Sequence, residues 1–242
     1  MNILVTNDDG FQAKGLITLQ KSLSKIAKVW LIAPMTEQSA KSHSFSLHRP
    51  VKIQRIEPNV ITVDGTPSDC VYIGFNLFDV NFDFVVSGIN HGTNLGTDIH
   101  YSGTAAGARE GCLLGVKAIA VSMGLRKIGQ PNFQRTADLV THILPQLQQS
   151  SAPRFFYNLN VPDTDEPTEV RVAKLGHRKY NTLCDVRCSP RGTEYAWIGG
   201  QPADRQTDEI CDVSLFAQGF ATLTTVSVDS TAYQPLQELD IV

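Results

Sequence analysis

Two adjacent aspartates follow the first apolar run of the chain. Asp8 and Asp9 come shortly after the buried-type run at 3–5, and Gly10 follows them. Carboxylates side by side at the end of a buried strand repel each other and lose hydration unless a cation compensates their charge. A hard divalent ion such as Mg²⁺ or Mn²⁺ would do so, since such ions prefer oxygen ligands. The alternative is a solvated turn, because Asp-Gly is also a common turn signal.

Further oxygen donors occur on two later loops, each of which follows a predicted buried strand. Ser39 follows the strand at 29–33, and Asn90 and Asn94 lie in a long glycine-rich loop at 87–98, a kind of loop that is usually functional. Ligands of open α/β sheets bind at the carboxyl ends of the strands. Carboxylates, a hydroxyl and an amide carbonyl suit Mg²⁺, Mn²⁺ or Ca²⁺, and not zinc or copper. The sequence therefore predicts a divalent-cation site at this edge of the sheet.

A candidate anion site lies at the start of a predicted helix of small residues. Ser102, Gly103 and Thr104 would offer backbone N–H groups, two hydroxyls and the positive end of the helix dipole, which together favour a phosphate. The structural alternative is that Ser102 or Thr104 only caps the helix and that the small residues allow close packing on the sheet. If a phosphate binds here, the anion site and the neighbouring cation site together give the arrangement that phosphoryl transfer needs.

Alternating strands and helices must bring these loops together. The segment 15–27 predicts an amphipathic helix, because its apolar residues recur at spacings of three and four: Leu16, Leu19, Leu23 and Ile26. This helix separates the strands at 3–5 and 29–33, so the three elements form a βαβ unit with a right-handed crossover and a parallel sheet.

The rest of the first two thirds continues this pattern. Thr66, Pro67 and Asp69 mark the start of a helix, with Thr66 as its cap. A later helix at 136–147 contains Pro145, which we expect to kink or shorten it. Short apolar runs predict further strands at 51–56, 60–63, 84–86, 118–121 and 155–159.

The regular alternation stops after residue 162. Segments 168–175 and 193–198 predict hairpin strands, 208–218 predicts a helix and 220–228 a strand. This portion has too few apolar residues for an independent core, so we expect it to pack on its neighbour or on a second subunit.

The predicted fold is therefore one α/β domain over residues 1–242. Its core, at about 1–162, is a Rossmann-like, mostly parallel sheet flanked by helices. Its C-terminal extension, at about 163–242, consists of a β-hairpin and a helix.

Composition argues against several classes of partner. The formal net charge of −3 disfavours stable binding to a nucleic-acid backbone. Signal-peptide features do not occur at the start, and no apolar stretch approaches about 18 residues, so we expect no membrane span. Five scattered cysteines in this context indicate reduced thiols, so we expect a cytoplasmic protein.

Motifs of other nucleotide-binding and phosphatase families do not fit. The first strand is not followed by Gly-x-Gly-x-x-Gly, as in a dehydrogenase, or by the glycine-rich Lys-Ser/Thr loop of an NTPase. Haloacid-dehalogenase-like phosphatases use Asp-x-Asp, whereas Asp8 and Asp9 are adjacent. The histidines give no zinc pattern, although His91 lies where it could contact a substrate.

Taken together, the motifs resemble those of the stationary-phase survival protein family, the SurE-type 5′/3′-nucleotidases. The stronger matches are 3–10, Ala33-Pro34 before Ser39, 63–70, 87–96 and 101–104. Weaker matches are 160–162, 190–192 and Thr207-Asp208.

The resemblance implies a metal-dependent phosphomonoesterase that acts on nucleoside monophosphates, with one divalent ion per subunit: Mg²⁺ or Mn²⁺, or Ca²⁺ in a crystal. Carried over by position, the metal ligands are Asp8, Asp9, Ser39 and Asn90. The phosphate contacts are Asn94, Ser102, Gly103 and Thr104. The resemblance also implies a homodimer or homotetramer that exchanges C-terminal segments between subunits.

Two segments depart from the family pattern. The usual Ser-Gly is Ser39-Ala40 here, and Ala40 lacks the access of glycine to positive φ, so we expect the loop to sit differently near the cation. The usual Gly-Tyr-Val-Ser-Ile-Thr-Pro-Leu near the C-terminus is replaced by the different sequence at 219–225. The second departure bears on subunit exchange more than on chemistry.

These observations lead to a mechanistic hypothesis. The cation binds the phosphate and neutralises charge as the ester bond breaks, while Asp9 or Asp8 either activates water or attacks phosphorus. The sequence leaves these two roles open. The competing hypothesis is a non-catalytic sensor that binds a nucleotide through the same loops, and only turnover distinguishes the two.

Overall fold

The computed structural model describes residues 1–126, 129–149, 154–164, 168–181, 183–200 and 210–231. Its strands are β1 (Asn2–Thr6), β2 (Lys28–Pro34), β3 (Ile53–Glu57), β4 (Val60–Val63), β5 (Phe84–His91), β6 (Lys117–Met123), β7 (Phe155–Val161), β8 (Val170–Val172), β9 (Leu183–Cys188), β10 (Glu194–Gly199) and β11 (Ala221–Ser227). Its α-helices are α1 (Lys14–Leu23), α2 (Pro67–Leu77), α3 (Gly103–Leu113), α4 (Phe133–Gln148) and α5 (Asp212–Ala217), and a short 3-10 helix covers Gly96–His100.

A nine-stranded sheet runs in the order β3-β4-β2-β1-β5-β6-β7-β11-β8. The six strands from β4 to β7 in this order pair in parallel. Among them, β1 precedes α1 in the chain and β2 follows it, and the two strands pair with each other. The predicted βαβ unit and the predicted mostly parallel α/β fold are therefore confirmed. Strands of this kind are apolar runs because helices cover both of their faces.

Helices cover the two faces of the sheet in pairs. Successive side chains of a strand point to opposite faces, so Ile3 and Val5 pack with α1 and α4, whereas Leu4 packs with α2 and α3. Small residues let α3 approach the sheet closely. A Cβ on Gly107 would lie 2.8 Å from Ser87 Oγ. This contact supports the close-packing explanation for the small residues and brings the start of α3 next to β1.

Strand β5 is longer than predicted. It extends from Phe84 to His91 instead of ending at residue 86, so Asn90 lies at the end of the strand and not in the loop. Its parallel pairing with β6 is interrupted between Ser87 and Asn90 and then resumes. Gly88 allows the close approach, since a Cβ there would lie 2.3 Å from Val121 O. The first part of the glycine-rich segment predicted as a loop, residues 87–91, therefore belongs to the strand.

Two helices have ends that differ from the prediction. α1 ends at Leu23, earlier than predicted, because the chain must turn to enter β2 at Lys28. α4 begins at Phe133 and continues past Pro145 to Gln148, so the expected shortening is wrong. A proline in the last turn removes few hydrogen bonds, and the burial of apolar residues on this helix outweighs that loss. Among the described residues, no helix is long and apolar enough to cross a membrane.

The C-terminal part extends the main sheet and forms a hairpin. β11 pairs antiparallel with β7, and β8 pairs with β11, so the strand predicted at 168–175 does not pair with the one at 193–198. The hairpin partner of β10 is instead β9, which the sequence did not indicate. α5 is shorter than the helix predicted at 208–218, of which residues 208–209 lie outside the described residues, as do Thr207 and Asp208 of the family motif.

Candidate active site

The turn after β1 withdraws both aspartates from water. Asn7 Nδ2 donates to Gly10 O at 3.0 Å, and Gly10 has a positive φ of 98° that closes the turn. Asp8 is 4% exposed and the side chain of Asp9 is 14% exposed. The solvated-turn alternative is therefore wrong.

Asp8 is held by the start of α3. Thr104 N–H donates to Asp8 Oδ2 at 3.0 Å, and the Thr104 hydroxyl donates to Oδ1. Gly103 permits this approach, since a Cβ there would lie 2.9 Å from Asp8 Cβ. Burial raises the pKa of Asp8 to about 6, with a further rise from the charge of Asp9, although the hydrogen bonds from Thr104 favour the ionised form.

Asp9 is held by the end of β5. The His91 N–H donates to Asp9 Oδ2 at 3.2 Å, and His91 Nδ1 lies 3.8 Å from Oδ1. Burial raises the pKa of Asp9 to about 6, against the effect of this hydrogen bond and with a contribution from the charge of Glu37. Neither Asp8 nor Asp9 forms an ion pair with a lysine or arginine of the described residues. Two buried neighbouring carboxylates without such a counter-charge have the chemistry that a bound cation would stabilise.

The loop after β2 brings Ser39 to the same place. Gln38 N–H donates to Asp8 O at 2.7 Å, and the Ser39 hydroxyl donates to Glu37 Oε1 at 2.7 Å. Ala40 has a φ of 56°, so the backbone adopts the left-handed conformation in spite of the Cβ. Ala40 thus has a positive φ although the family pattern has glycine at this position.

Contacts with α2 and α3 anchor this loop on its other side. His43 Nε2 lies 2.8 Å from Oε2 of Glu110, a buried residue of α3. Ser46 N–H and its hydroxyl both donate to Asp69, at 3.0 and 2.8 Å. Asp69 also accepts from the Thr66 N–H in the predicted N-terminal cap of α2, which is confirmed. These contacts explain how the loop retains an unfavourable backbone conformation at Ala40.

Asn90 completes the oxygen donors at this edge of the sheet. Its Nδ2 donates to Gly92 O at 2.9 Å, which leaves its amide oxygen as the atom for a cation. Asp8, Ser39 and Asn90 line a cavity of about 650 Å³. Asp9 and Ser39 line an adjacent cavity of about 530 Å³. The four predicted ligands therefore meet around Ser39, and their two carboxylates and neutral oxygens fit a hard divalent ion.

The predicted phosphate contacts fall into two groups. Asn94 and Ser102 line the larger cavity, and Ser102 Oγ also caps α3 by accepting from the Ala105 N–H at 3.0 Å. Gly103 and Thr104 do not line it, because they pack against Asp8. The capping alternative is correct for the Ser102 side chain, whose hydroxyl hydrogen is still a donor beside the cavity.

The far wall of the larger cavity comes from the C-terminal part of the chain. Asp98, next to the site, accepts from Arg178 Nη1 at 2.8 Å and from the Tyr180 hydroxyl at 2.7 Å. Tyr180 and Ile198 line the cavity, as does Tyr101. These apolar and aromatic surfaces were not predicted as parts of the site, because long-range packing brings them there.

Sequence reasoning also missed two buried groups behind the site. Asn158 and Asn160 hydrogen-bond to Asn94, and Asp212 accepts from the Gly96 N–H at 2.7 Å. The signals available for the asparagines were their alternate positions in an otherwise apolar strand and, for Asn160, the weaker family match at 160–162. Asp212 lay within a predicted helix, where a polar residue needs no special explanation.

The chain matches known proteins over most of its length. A family model described as "Survival protein SurE" matches residues 3–182. The chain belongs to the SurE family. It is 39% identical to "5′-nucleotidase SurE" of Campylobacter concisus, over 98% of this chain and 96% of that protein. It is 37% identical to "5′-nucleotidase SurE" of Vibrio vulnificus, over 99% and 94%.

A solved SurE structure extends the comparison to three dimensions. The crystal structure of the SurE protein from Aquifex aeolicus has a TM-score of 0.84 and 32% identity, and the match covers 96% of both chains. The predicted family resemblance and fold class are therefore confirmed. The SurE family match ends at residue 182, just before β9, whereas the relatives align over nearly the whole chain.

Proposed function

We propose that this SurE protein is a divalent-metal-dependent 5′/3′-nucleotidase. It hydrolyses nucleoside 5′- and 3′-monophosphates to nucleoside and phosphate. The observation that carries the proposal is a pair of adjacent carboxylates beside a helix N-terminus: Asp8 is buried and lines a cavity of about 650 Å³, and Asp9, with a side chain 14% exposed, lines the adjacent cavity. That volume lies within the range of about 300–1,000 Å³ typical of small-molecule sites. The relatives' name, 5′-nucleotidase SurE, supports the choice of substrate.

Asp8, Asp9, Ser39 and Asn90 would hold one Mg²⁺ or Mn²⁺ ion. When bound, such an ion neutralises phosphate charge and lowers the cost of breaking the ester bond. Thr104 orients the Asp8 carboxylate and His91 orients that of Asp9, so both are set before an ion arrives. The Ser39 hydroxyl donates its hydrogen to Glu37, so the lone pairs of its oxygen would be available to the ion.

The phosphate would bind in the larger cavity, beside Asp8 and Ser102. Asn94 and Ser102 supply donors from the cavity wall, and the dipole of α3 adds positive potential there. Gly103 keeps the helix close, and Thr104 acts through Asp8. The nucleoside extends along the wall that the C-terminal part of the chain provides.

We assign the assistance of the attack on phosphorus to Asp9, because its carboxylate accepts fewer hydrogen bonds than that of Asp8. Both oxygens of Asp8 already accept hydrogen bonds from Thr104, whereas Asp9 accepts one from the His91 N–H. Asp9 either takes a proton from the attacking water or attacks phosphorus itself. Rapid quenching during a single turnover, followed by mass spectrometry of the peptide that contains Asp9, distinguishes these routes, since only direct attack forms an aspartyl phosphate.

Phosphate release from a panel of 5′- and 3′-nucleoside monophosphates tests the function. Each is measured with Mn²⁺, with Mg²⁺ and with EDTA, for the wild type, Asp9→Asn and the exposed control Asp79→Asn. We expect metal-dependent turnover that falls on the order of 10²–10³-fold in Asp9→Asn and is unchanged in Asp79→Asn. Nucleotide binding without turnover under any metal would instead support the non-catalytic sensor, and an active Asp9→Asn enzyme would refute the site.

We also propose that the β9–β10 hairpin pairs with a second copy of the chain, giving a homodimer or homotetramer. Every residue of β9 and β10 is exposed, including Val186 at 61%, Trp197 at 67% and Ile198 at 94%. Apolar side chains on a projecting hairpin favour burial against a partner. Light scattering should give an oligomer for the wild type and a smaller species for Val186→Lys combined with Trp197→Glu. A wild-type monomer would exclude the assembly.

A further inference from the structure

A buried polar network underlies Asn94. Strand β7 is apolar except at two alternate positions, Asn158 and Asn160, and both side chains are fully buried. Asn158 Nδ2 donates to Asn94 O at 2.9 Å, and Asn160 Nδ2 donates to the same oxygen at 3.1 Å. Asn160 Oδ1 accepts from the Asn94 N–H at 2.8 Å. The two side chains thus hold both backbone polar groups of Asn94.

A third buried residue holds the side chain of Asn94. Its Nδ2 donates to Ser122 Oγ at 2.8 Å. Ser122 is fully buried and lies opposite Asn160 in the parallel pairing of β6 with β7. Asn94 therefore forms four hydrogen bonds with two neighbouring strands, two as acceptor and two as donor, and its amide can adopt only a narrow range of orientations at the cavity.

The backbone around Asn94 needs such support. Gly92 and Gly96 flank it with positive φ values of 130° and 52°, conformations that glycine makes accessible but does not enforce. The segment lies between the end of β5 and the 3-10 helix. Its position is set by contacts with β6 and β7 and not by its own secondary structure.

Stability does not account for the polar residues of this network. In the antiparallel pair of β7 with β11, Thr224 lies opposite Asn158 and Thr222 opposite Asn160. Asn158 Oδ1 and both threonine hydroxyls are buried without a hydrogen-bond partner among the described residues. Such atoms oppose folding, so stability alone does not explain the polar residues in this layer.

We propose that Asn158 and Asn160 are positioning residues, which fix Asn94 so that its amide meets the substrate's phosphate. The inference rests on the proposed nucleotidase function. Neither residue lines the cavity, so each acts through Asn94 and touches neither substrate nor cation. This network has no hydrogen bond to the proposed cation ligands, which are Asp8, Asp9, Ser39 and Asn90. A change in the network should therefore weaken phosphate binding without weakening cation binding.

A double-mutant cycle tests this role. Asn160→Leu is made in the wild type and in Asn94→Ala, with Thr224→Val as a matched polar-to-apolar control in the same layer. We expect Asn160→Leu to raise the KM for 5′-AMP about 10-fold in the wild type and less than about 2-fold in Asn94→Ala. The Mn²⁺ affinity should stay within about 2-fold in every variant, and Thr224→Val should keep the wild-type KM.

Binding measurements keep the inference testable apart from turnover. Calorimetry with 5′-AMP and with inorganic phosphate, in Mn²⁺, should show the same non-additive loss even if the wild type does not hydrolyse nucleotides. Equal losses in both backgrounds, or unchanged binding in Asn160→Leu, would overturn the positioning role. If Asn160→Leu does not fold, Ser122→Ala removes the acceptor of the Asn94 amide with little change in volume, and it should weaken phosphate binding in the same non-additive way.

Discussion

His91 contacts Asp9 through both its backbone and its ring. The N–H donates to Asp9 Oδ2 at 3.2 Å, and ring Nδ1 lies 3.8 Å from Oδ1. The ring is itself held, because it stacks on Phe133 with centroids 4.6 Å apart and Nε2 accepts from the Gly15 N–H at 3.3 Å. Burial lowers the pKa of His91, so the ring is neutral near pH 7. With Nε2 as an acceptor, its proton lies on Nδ1, towards Asp9.

Replacing the His91 ring should weaken cation binding. His91→Phe preserves the stack on Phe133 and the backbone N–H to Asp9, but removes both ring nitrogens. A ring N–H beside a metal-binding carboxylate helps to orient it, so we expect the Mn²⁺ affinity measured by calorimetry to fall about 10-fold. His142→Phe, at an exposed position of α4, is the control and should bind Mn²⁺ as the wild type does. Equal affinities for the two variants would show that the His91 ring does not support Asp9.

The oxygen donors of the site could be predicted because they are polar residues that follow apolar strands. Asp8, Asp9 and Ser39 follow buried strands of a recognisable βαβ unit, and the topology of parallel sheets brings such positions to one edge. In the structure they line two adjacent cavities, with Ser39 on both. Their role as cation ligands remains a prediction.

The supporting residues could not be predicted, because their partners are distant in sequence. Asn158 and Asn160 lie inside an apolar strand, and their contact with Asn94 spans more than 60 residues. Thr104 was assigned to phosphate, but its two donors go to Asp8, since the approach of α3 to β1 depends on tertiary packing. Local patterns indicate which residues are polar, and only packing decides which partners they meet.

The two aspartates should make the stability of the EDTA-treated protein depend on pH. Burial raises the pKa of Asp8 and Asp9 from 3.8 to about 6, so the folded state binds protons more tightly than the unfolded state. Their protonation therefore stabilises the fold fully below about pH 4, and this contribution is lost as the pH rises through about 6. For each group the effect is on the order of 2–3 kcal/mol.

Urea unfolding between pH 4 and 8 measures this dependence. We expect Asp8→Asn to show a shallower pH dependence than the wild type, because one of the two titrating groups is gone. Added Mn²⁺ should restore stability at pH 7.5 in the wild type, since a bound cation favours the ionised carboxylates. Parallel curves for the wild type and Asp8→Asn would show that Asp8 does not titrate in this range.

Ala40 offers a direct test of backbone strain beside the site. With a φ of 56°, it adopts a conformation that costs a residue with a Cβ about 1–2 kcal/mol. Glycine removes that cost but adds entropy to the unfolded chain, which offsets about 0.4–1 kcal/mol. We expect Ala40→Gly to raise the free energy of unfolding by about 0.5–1 kcal/mol in urea titrations. Lys41→Gly, whose φ is not positive, should lower it, and a loss of stability in both variants would contradict the strain at Ala40.

Asp212 joins two segments that the chain separates widely. Its Oδ2 accepts from the Gly96 N–H and its Oδ1 from the Gly176 N–H, both at 2.7 Å, and it is fully buried.

In Asp212→Asn one of these oxygens becomes an amide that cannot accept from an N–H. We expect the free energy of unfolding to fall by about 2–3 kcal/mol. Hydrogen exchange should accelerate at Gly96 or at Gly176, whichever of the two amides loses its acceptor. Asp185→Asn, on the exposed hairpin, should stay within about 0.5 kcal/mol of the wild type. An equally small change in Asp212→Asn would mean that other contacts hold the two segments together.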